Sequence, residues 1–327
     1  MPWDSVPWFV EGAAEHSSEV TRLLAYSAFG GAEGIVGPSD LRVQALSSPA
    51  AAVRVGVGAC AITNRAPGGA YQAYAARLPT ADQVAVAATG VTARSDLVVA
   101  RIENPHSQGE SWPLPNDPKA GPYVFTRIIS GVPKTTTSIE QVRPGDSAIT
   151  LARIDLPPNT SSVTGAMITD LREMVQPRRE RRIYPLFTAN AEFLFPEDGS
   201  WHDWPNVARV NIRIPKWATR AQLVTTIGGL GLFNALVRAE VQHFLGSSIW
   251  GGSPTTIDDD QGGGARRLTQ VVASTINIPP AMRGTMQPLF LKTWMSTDHT
   301  GDLRVDNRSA IVHDVEFQEA PELDPGL

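Results

Sequence analysis

The residues best suited to chemistry lie in the heptapeptide GSWHDWP, residues 199–205, where His202 and Asp203 sit between Trp201 and Trp204. Exposed indole faces stack on sugar rings while a carboxylate and an imidazole hydrogen-bond the hydroxyls, so this spacing suits a carbohydrate-binding loop. The same residues also suit a turn whose tryptophans pack on a sheet edge. A second candidate is TTIDDDQGGGARR, residues 255–267, where Asp258, Asp259 and Asp260 precede a glycine triplet. Adjacent carboxylates can hold calcium. The alternating ligands and closing glutamate of a helix–loop–helix calcium site are missing, however, so a mobile acidic loop is the plainer expectation.

His243, His299 and His313 lie on separate elements, without the four-residue spacing that sets two imidazoles on one helix face for zinc. STDHTGD, residues 296–302, reads as a hairpin tip with ordinary turn residues. Neither a nucleophile elbow nor a glycine-rich phosphate loop is present. A glycosidase carboxylate pair is a spatial feature that spacing does not reveal. The one cysteine, Cys60, sits in the alternating stretch VRVGVGACAITN and reads as a buried strand thiol, with no cation nearby in sequence to lower its pKa. The sequence thus names no catalytic residue and no cofactor.

With 327 residues the chain has material for about two domains. Apolar residues make up 42% and charged residues 19%, and 28 glycines and 26 prolines are scattered along the chain, the punctuation of many short strands joined by turns. A mainly β protein is expected. The net charge of -5 gives no electrostatic basis for binding nucleic acid. The N-terminal MPWDSVPWFVEGAAEH lacks a basic segment followed by an apolar one, and no apolar run approaches the roughly 20 residues of a spanning helix. Synthesis in a cytoplasm, without membrane insertion, is expected.

The elements that must position these residues follow from periodicity. HSSEVTRLLAY, residues 16–26, has Ser17 or Ser18 as a cap and reads as a short helix. The next hundred residues alternate apolar runs with turns, as in VRVGVGACAI, DLVVARI and SAITLARIDL. Two segments repeat: SDLVVARIENP (residues 95–105) aligns without gaps on SAITLARIDLP (147–157). Strict alternation puts Leu97, Val99 and Arg101 on one face, and likewise Ile149, Leu151 and Arg153. Each copy reads as a core strand ending on arginine near the rim, stopped by proline, with a paired anion clamp as the functional alternative. In NTSSVTGAMITDLREMVQP, Val163, Met167, Leu171 and Met174 recur at spacings of four, four and three, which predicts an amphipathic helix closing the first domain. The run Arg178, Arg179, Glu180, Arg181, Arg182 then reads as a basic linker over 177–184 or as an interface rim. Residues 185–327 read as a second domain, an antiparallel β-sandwich or jelly roll, with GLFNALVRAEVQHFLG also open to a helical reading.

The N-terminal half carries a resemblance. APGGAYQAYAAR, RSDLVVARIENP and TLARIDLPPNTSSVTGAMITDLR, in this order, resemble the N-terminal region of minor tail proteins of long-tailed actinobacterial phages, and more loosely upper baseplate proteins of other tailed phages. The likeness covers roughly residues 10–176 and no segment beyond. It implies a non-enzymatic virion protein whose first domain, 1–176, docks at the tail tip or baseplate among other tail proteins as a homo-oligomer, a trimer being favoured. The second domain would face a tail partner or a host-surface glycan. Arg101, Arg153, Met167, Leu171, Met174, Arg178, Arg179, Arg181 and Arg182 are the expected assembly residues.

Overall fold

A computed structural model describes residues 15–196, 198–260 and 263–322. The reading of the first fourteen residues as free of a leader falls outside these. The chain is mainly β and separates into two compact units, dividing between Gln176 and Pro177 and returning to the first unit at Pro321. No helix among the described residues is long and apolar enough to cross a membrane.

In the first unit, helix α1 (Ser18–Ala28) begins where the Ser17 hydroxyl accepts the Val20 N–H at 3.1 Å. The strands are β1 (Gly34–Ile35), β2 (Val43–Ala45), β3 (Ala52–Val55), β4 (Gly58–Thr63), β5 (Ala73–Leu78), β6 (Asp82–Ala85), β7 (Arg94–Ile102), β8 (Val124–Val132), β9 (Ala148–Leu156) and β10 (Ile168–Asp170). They form sheets ordered β1-β4-β5, β2-β3-β6 and β10-β9-β7-β8. The repeated segments are the neighbours β7 and β9, paired antiparallel. Val98, Ala100, Ile149, Leu151 and Ile154 face the main core, while Leu97, Val99, Ile129 and Ile139 pack a second core on the opposite face. β7 is therefore covered on both sides, which is why DLVVARI reads as a continuous apolar run.

Two expectations fail here. The register of β7 and β9 shifts between Val98 and Val99, leaving Leu151 as the extra residue of a bulge. The bulge puts Ile149 and Leu151 in the main core and turns Arg153 to the opposite face, so these three do not share a side. The closing amphipathic helix is likewise absent. Its place is taken by a 3₁₀ turn, Gly165–Met167, and the strand β10, which pairs with β9 from Ile168↔Ile154 to Asp170↔Ala152. Glycine and the β-branched Val163, Thr164, Ile168 and Thr169 disfavour a helix. The helical spacing coincides with an extended strap: Val163 and Met174 enter the main core, Met167 packs against it, and Leu171 reaches the second core.

The second unit contains β11 (Arg179–Phe187), β12 (Glu192–Leu194), β13 (Trp201–Asp203), β14 (Val210–Arg213), β15 (Arg220–Phe233), β16 (Val237–Leu245), β17 (Ile249–Trp250), β18 (Thr255–Asp259), β19 (Ala265–Asn277), β20 (Met286–Met295), β21 (Asp302–Val305) and β22 (Ala310–Gln318). One sheet runs β11-β22-β15-β21-β12 with β19 also on β15. The other runs β13-β20-β16-β17 with β14 on β20 and β18 on β16. Ile227, Leu230 and Ile311 of the first sheet meet Val241, Leu291 and Met295 of the second, the shared core of an antiparallel sandwich. The stretch also open to a helical reading is the turn from β15 into β16. Asn234 takes φ 71° between them, and Val237, Ala239 and Val241 point inward at period two.

The basic run is not a linker. It opens β11, which pairs with β22 from Arg179↔Gln318 to Phe187↔Ala310. Three of its four arginines are paired locally: Arg178 with Glu319 at 2.5 Å, Arg181 with Asp314, and Arg182 with Glu180 at 2.5 Å.

Candidate functional site

Alternation along β13 divides the GSWHDWP cluster. Trp201 and Asp203 turn to the outer face of their sheet, opposite Trp294 and Lys292 of β20. His202, between them, hydrogen-bonds Asp198 at 2.9 Å. Trp204, 3% exposed, belongs to the sandwich core, and its carbonyl accepts the Thr293 hydroxyl at 3.1 Å. The four residues are thus not one site; two of them belong to a larger one.

That larger site is the outer face of the β13-β20-β16-β17 sheet. The register sets Phe244 beside both Phe290 and Trp250. The Trp201 and Trp250 rings meet edge to face at 5.7 Å between centroids, and Phe244 lies 4.0 Å from Trp250 and 5.5 Å from Phe290. Trp250 is 47% exposed and forms the accessible summit of this aromatic group. Trp294 donates its indole N–H to the Gly199 carbonyl at 2.7 Å, which fixes its ring. Charges sit among the rings: the Arg209 guanidinium lies 3.8 Å from the Phe290 centroid, and Lys292 Nζ lies 4.8 Å from that of Phe244. Asp203 is held by Arg209 and, at 3.5 Å, by Lys292.

The acidic triplet contributes one residue to the same face. Asp258 of β18 lies opposite Arg238, 3.7 Å between charged atoms, and Arg238 also binds Asp298 at 2.8 Å. Asp259 pairs with Arg266. Consecutive residues of a strand point to opposite faces, so Asp258 and Asp259 do not converge on one ion. No group of metal-binding side chains is found among the described residues.

Two histidines that looked unrelated in sequence are joined. Thr225 Oγ1 lies 2.7 Å from His243 Nε2 and 2.6 Å from His313 Nδ1. His313 Nε2 reaches the Ala208 carbonyl at 2.7 Å, and His243 Nδ1 lies 2.9 Å from Ser274 Oγ, which in turn donates to the Gly251 carbonyl. Burial holds His243 down to about 3, assisted by the neighbouring His313, and lowers His313 too. The register Thr225↔His313 is the signal that sequence spacing lacks. His299, on the turn before β21, is tied to the carbonyls of Gly301 and Pro196 at 2.8 and 2.7 Å.

In the first unit, Arg101 and Arg153 lie at different levels of their sheet, since Arg101 pairs with Ala148 and Arg153 with Leu97. They form no common clamp. Each binds the acid two residues on, Arg101 to Glu103 and Arg153 to Asp155, because residues i and i+2 of a strand share a face. Arg101 is buried, also pairs with Asp146 at 3.2 Å, and lies 4.7 Å from the Trp112 centroid. Glu103 is held below the ordinary carboxylate range although its burial works the other way, because Arg127 and Arg101 both hydrogen-bond it. Cys60 lies beside a cleft of about 410 Å³, and burial pushes its thiol up to about 12, with Asp40 and Glu33 adding to the effect, so it is protonated at neutral pH.

No protein-family model matches the chain, and no curated protein does. Among solved structures it is weakly similar to capsid proteins of infectious bursal disease virus. For the Gx strain the identity is 11% and the TM-score 0.26, covering 88% of this chain and 85% of that one. For the VP2 subviral particle the values are 11% and 0.25, covering 90% and 83%. For the T13 viral particle they are 11% and 0.25, covering 94% and 90%. Similarity at this level does not establish a shared fold or role.

Proposed function

We infer that this chain is a structural virion protein of a tailed phage, assembling as a homo-oligomer among other proteins of the tail tip or baseplate. Its second unit contributes host-surface attachment through the aromatic face of Trp201, Trp250 and Trp294. The observation that carries the attachment role is the pairing of an exposed indole edge with fixed charges on one rigid sheet, the combination that sugar rings and their hydroxyls require. The tail location rests on the resemblance of the N-terminal segments. A binding role is favoured over glycan hydrolysis because hydrolysis needs two free carboxylates, and of those on this face Asp203 is engaged by Arg209 and Lys292 and Asp258 by Arg238, which leaves Glu240, opposite Trp294, as a single acid.

The test has two arms. Mass spectrometry of purified particles should find the chain, and its absence would end the virion assignment. Trp250→Ala and Trp201→Ala should each weaken binding of the purified protein to host cell-wall polysaccharide by about two- to tenfold, given ~0.5–1.5 kcal/mol per lost aromatic contact. Unchanged binding in both would move the attachment face elsewhere, and release of sugars that Asp203→Asn abolishes would establish the enzymatic alternative.

A further inference from the structure

The outer face of the other sheet, formed by β11, β22, β15 and β19, carries apolar side chains where a solvated sheet would alternate to polar ones. Register aligns Pro185, Val312, Thr226 and Val271 in one row across the four strands. The next row holds Ile183, Asp314, Val224 and Ala273. Phe187 is 71% exposed, Ile183 58%, Val271 48% and Val224 39%, so nothing among the described residues covers them. A patch of this kind marks an interaction surface.

The free edge of β11 is poorly suited to adding a further strand, because Pro185 has no N–H to donate there. Association through the face remains. Along the strands the face passes from apolar rows to a polar end, which holds acid on β22 in Glu316 and base on β15 in Arg220 and on β11 in Arg179 and Arg181, the last already paired with Asp314. A two-fold axis lying parallel to the strands, between β22 and β15, maps every row onto itself. Val271 then lies over Pro185 of the second copy, Asp314, held by Arg181 of its own chain, lies over Val224, and Arg220 comes to the β22 end that carries Glu316. A face bearing both signs in this order is complementary to itself, whereas a partner of one dominant charge would leave one sign opposed. Its extent, ~27 Å along nine-residue strands by ~19 Å across four, is on the order of 500 Å² in projection, and side-chain relief brings the accessible area toward the ~800 Å² that each partner of a standard interface buries.

We propose that this sheet face is the contact by which two copies of the chain associate, isologously and face to face. The proposal deepens the assembly role inferred above and names its surface, yet the two fail separately, since self-association is read on purified protein and virion membership on particles. The contact is two-fold, where the family resemblance had favoured three copies.

Sedimentation equilibrium of the full chain from about 1 to 100 μM should give twice the chain mass or an even multiple. Val271→Lys with Ile183→Lys, both on exposed positions, should weaken association at least 100-fold with an unchanged circular dichroism spectrum. Should that variant misfold, the single change Thr226→Cys keeps the question open to measurement. Thr226 lies next to the proposed axis, so a short bis-maleimide should link two copies, while the wild type, whose Cys60 is buried, should stay unlinked. A monomer at all concentrations, an odd multiple of the chain mass, dimers indifferent to the two lysines, or no cross-link at Thr226→Cys would each overturn the proposal.

Discussion

His243 and His313 share Thr225 between them, and the hydrogens available along that chain decide their state. It ends at both sides on backbone carbonyls, of Ala208 and Gly251, which only accept. Two neutral imidazoles and two hydroxyls bring one hydrogen fewer than the contacts they line, so an extra proton would complete the chain. An unfilled contact costs ~1–3 kcal/mol, whereas an unpaired imidazolium inside an apolar sandwich costs several. Neutrality wins, in keeping with the lowered pKa of both rings. The sign follows: below about 6.5 the unfolded chain takes up protons that the folded His243 refuses down to about 3. Stability should therefore be fully present above pH 6.5 and fall by about 1 kcal/mol per pH unit through His243 as pH drops, with His313 acting in the same direction, ahead of the carboxylate range near 4. Urea melts from pH 7.5 to 4.5 check this, and a flat profile over that span would contradict it. Arg101 answers to the same energetics. Its removal strips a partner from the buried Glu103, so Arg101→Ala should lower the urea-derived stability by about 3 kcal/mol, acting on the first unit's core before any assembly contact.

Among the elements, what was legible in the sequence is what depends on local alternation. The strands β7 and β9 follow from apolar runs bounded by turns, β22 from period two and helix α1 from its Ser17 cap, while β16 is open to both a strand and a helix reading. The misread segments are those where a second rule intervenes. Leu151 bulges out and reverses the side of Arg153, an event decided by pairing with β7 rather than by the order of residues in β9. Residues 163–174 satisfy a helical spacing although extended, since Val163, Met167 and Met174 go to the main core and Leu171 to the second, while Ile168–Asp170 pair with β9. The doubled Ala-Arg-Ile-acid phrase had a local explanation that alternation already contained: arginine and acid share a face while isoleucine takes the other. The candidate site was half legible. Trp201 and Asp203 were found from composition, but Trp250, Trp294 and Phe244 join them only through register between β13, β20, β16 and β17. The same register separates Trp204 from Trp201. Trp204→Ala empties a core position and should cost about 3–5 kcal/mol, while Trp250→Ala, on the exposed face, should cost below about 1. Thermal melts of the two variants test this split, and similar losses in both would mean the face is part of the core.

At the scale of the whole molecule, the second unit is an insertion: the first unit runs to Gln176 and resumes at Pro321. Its two ends are held together by its own bonds, since the Glu319 N–H donates to the Arg178 carbonyl at 2.9 Å and the Arg178 guanidinium pairs with the Glu319 carboxylate. A unit whose ends meet and whose core closes between its own two sheets needs nothing from outside to fold. The first unit, by contrast, uses the returning segment: Arg172 donates to the Glu322 carbonyl at 3.1 Å, and the Glu322 N–H to that of Pro38 at 3.0 Å. Arg172 also binds Asp170 and the Asp40 carbonyl, so the segment completes the surroundings of a buried guanidinium. Ending the chain at Ala320 should therefore destabilise the first unit by ~1–3 kcal/mol, through the unmet donor on Arg172, and leave the second unit unchanged. Hydrogen exchange resolved along the chain distinguishes the two. Faster exchange should appear in β9, β10 and the segment around Pro38 but not in β15, β16 or β22, and equal acceleration in both units would show that the insertion does not fold independently.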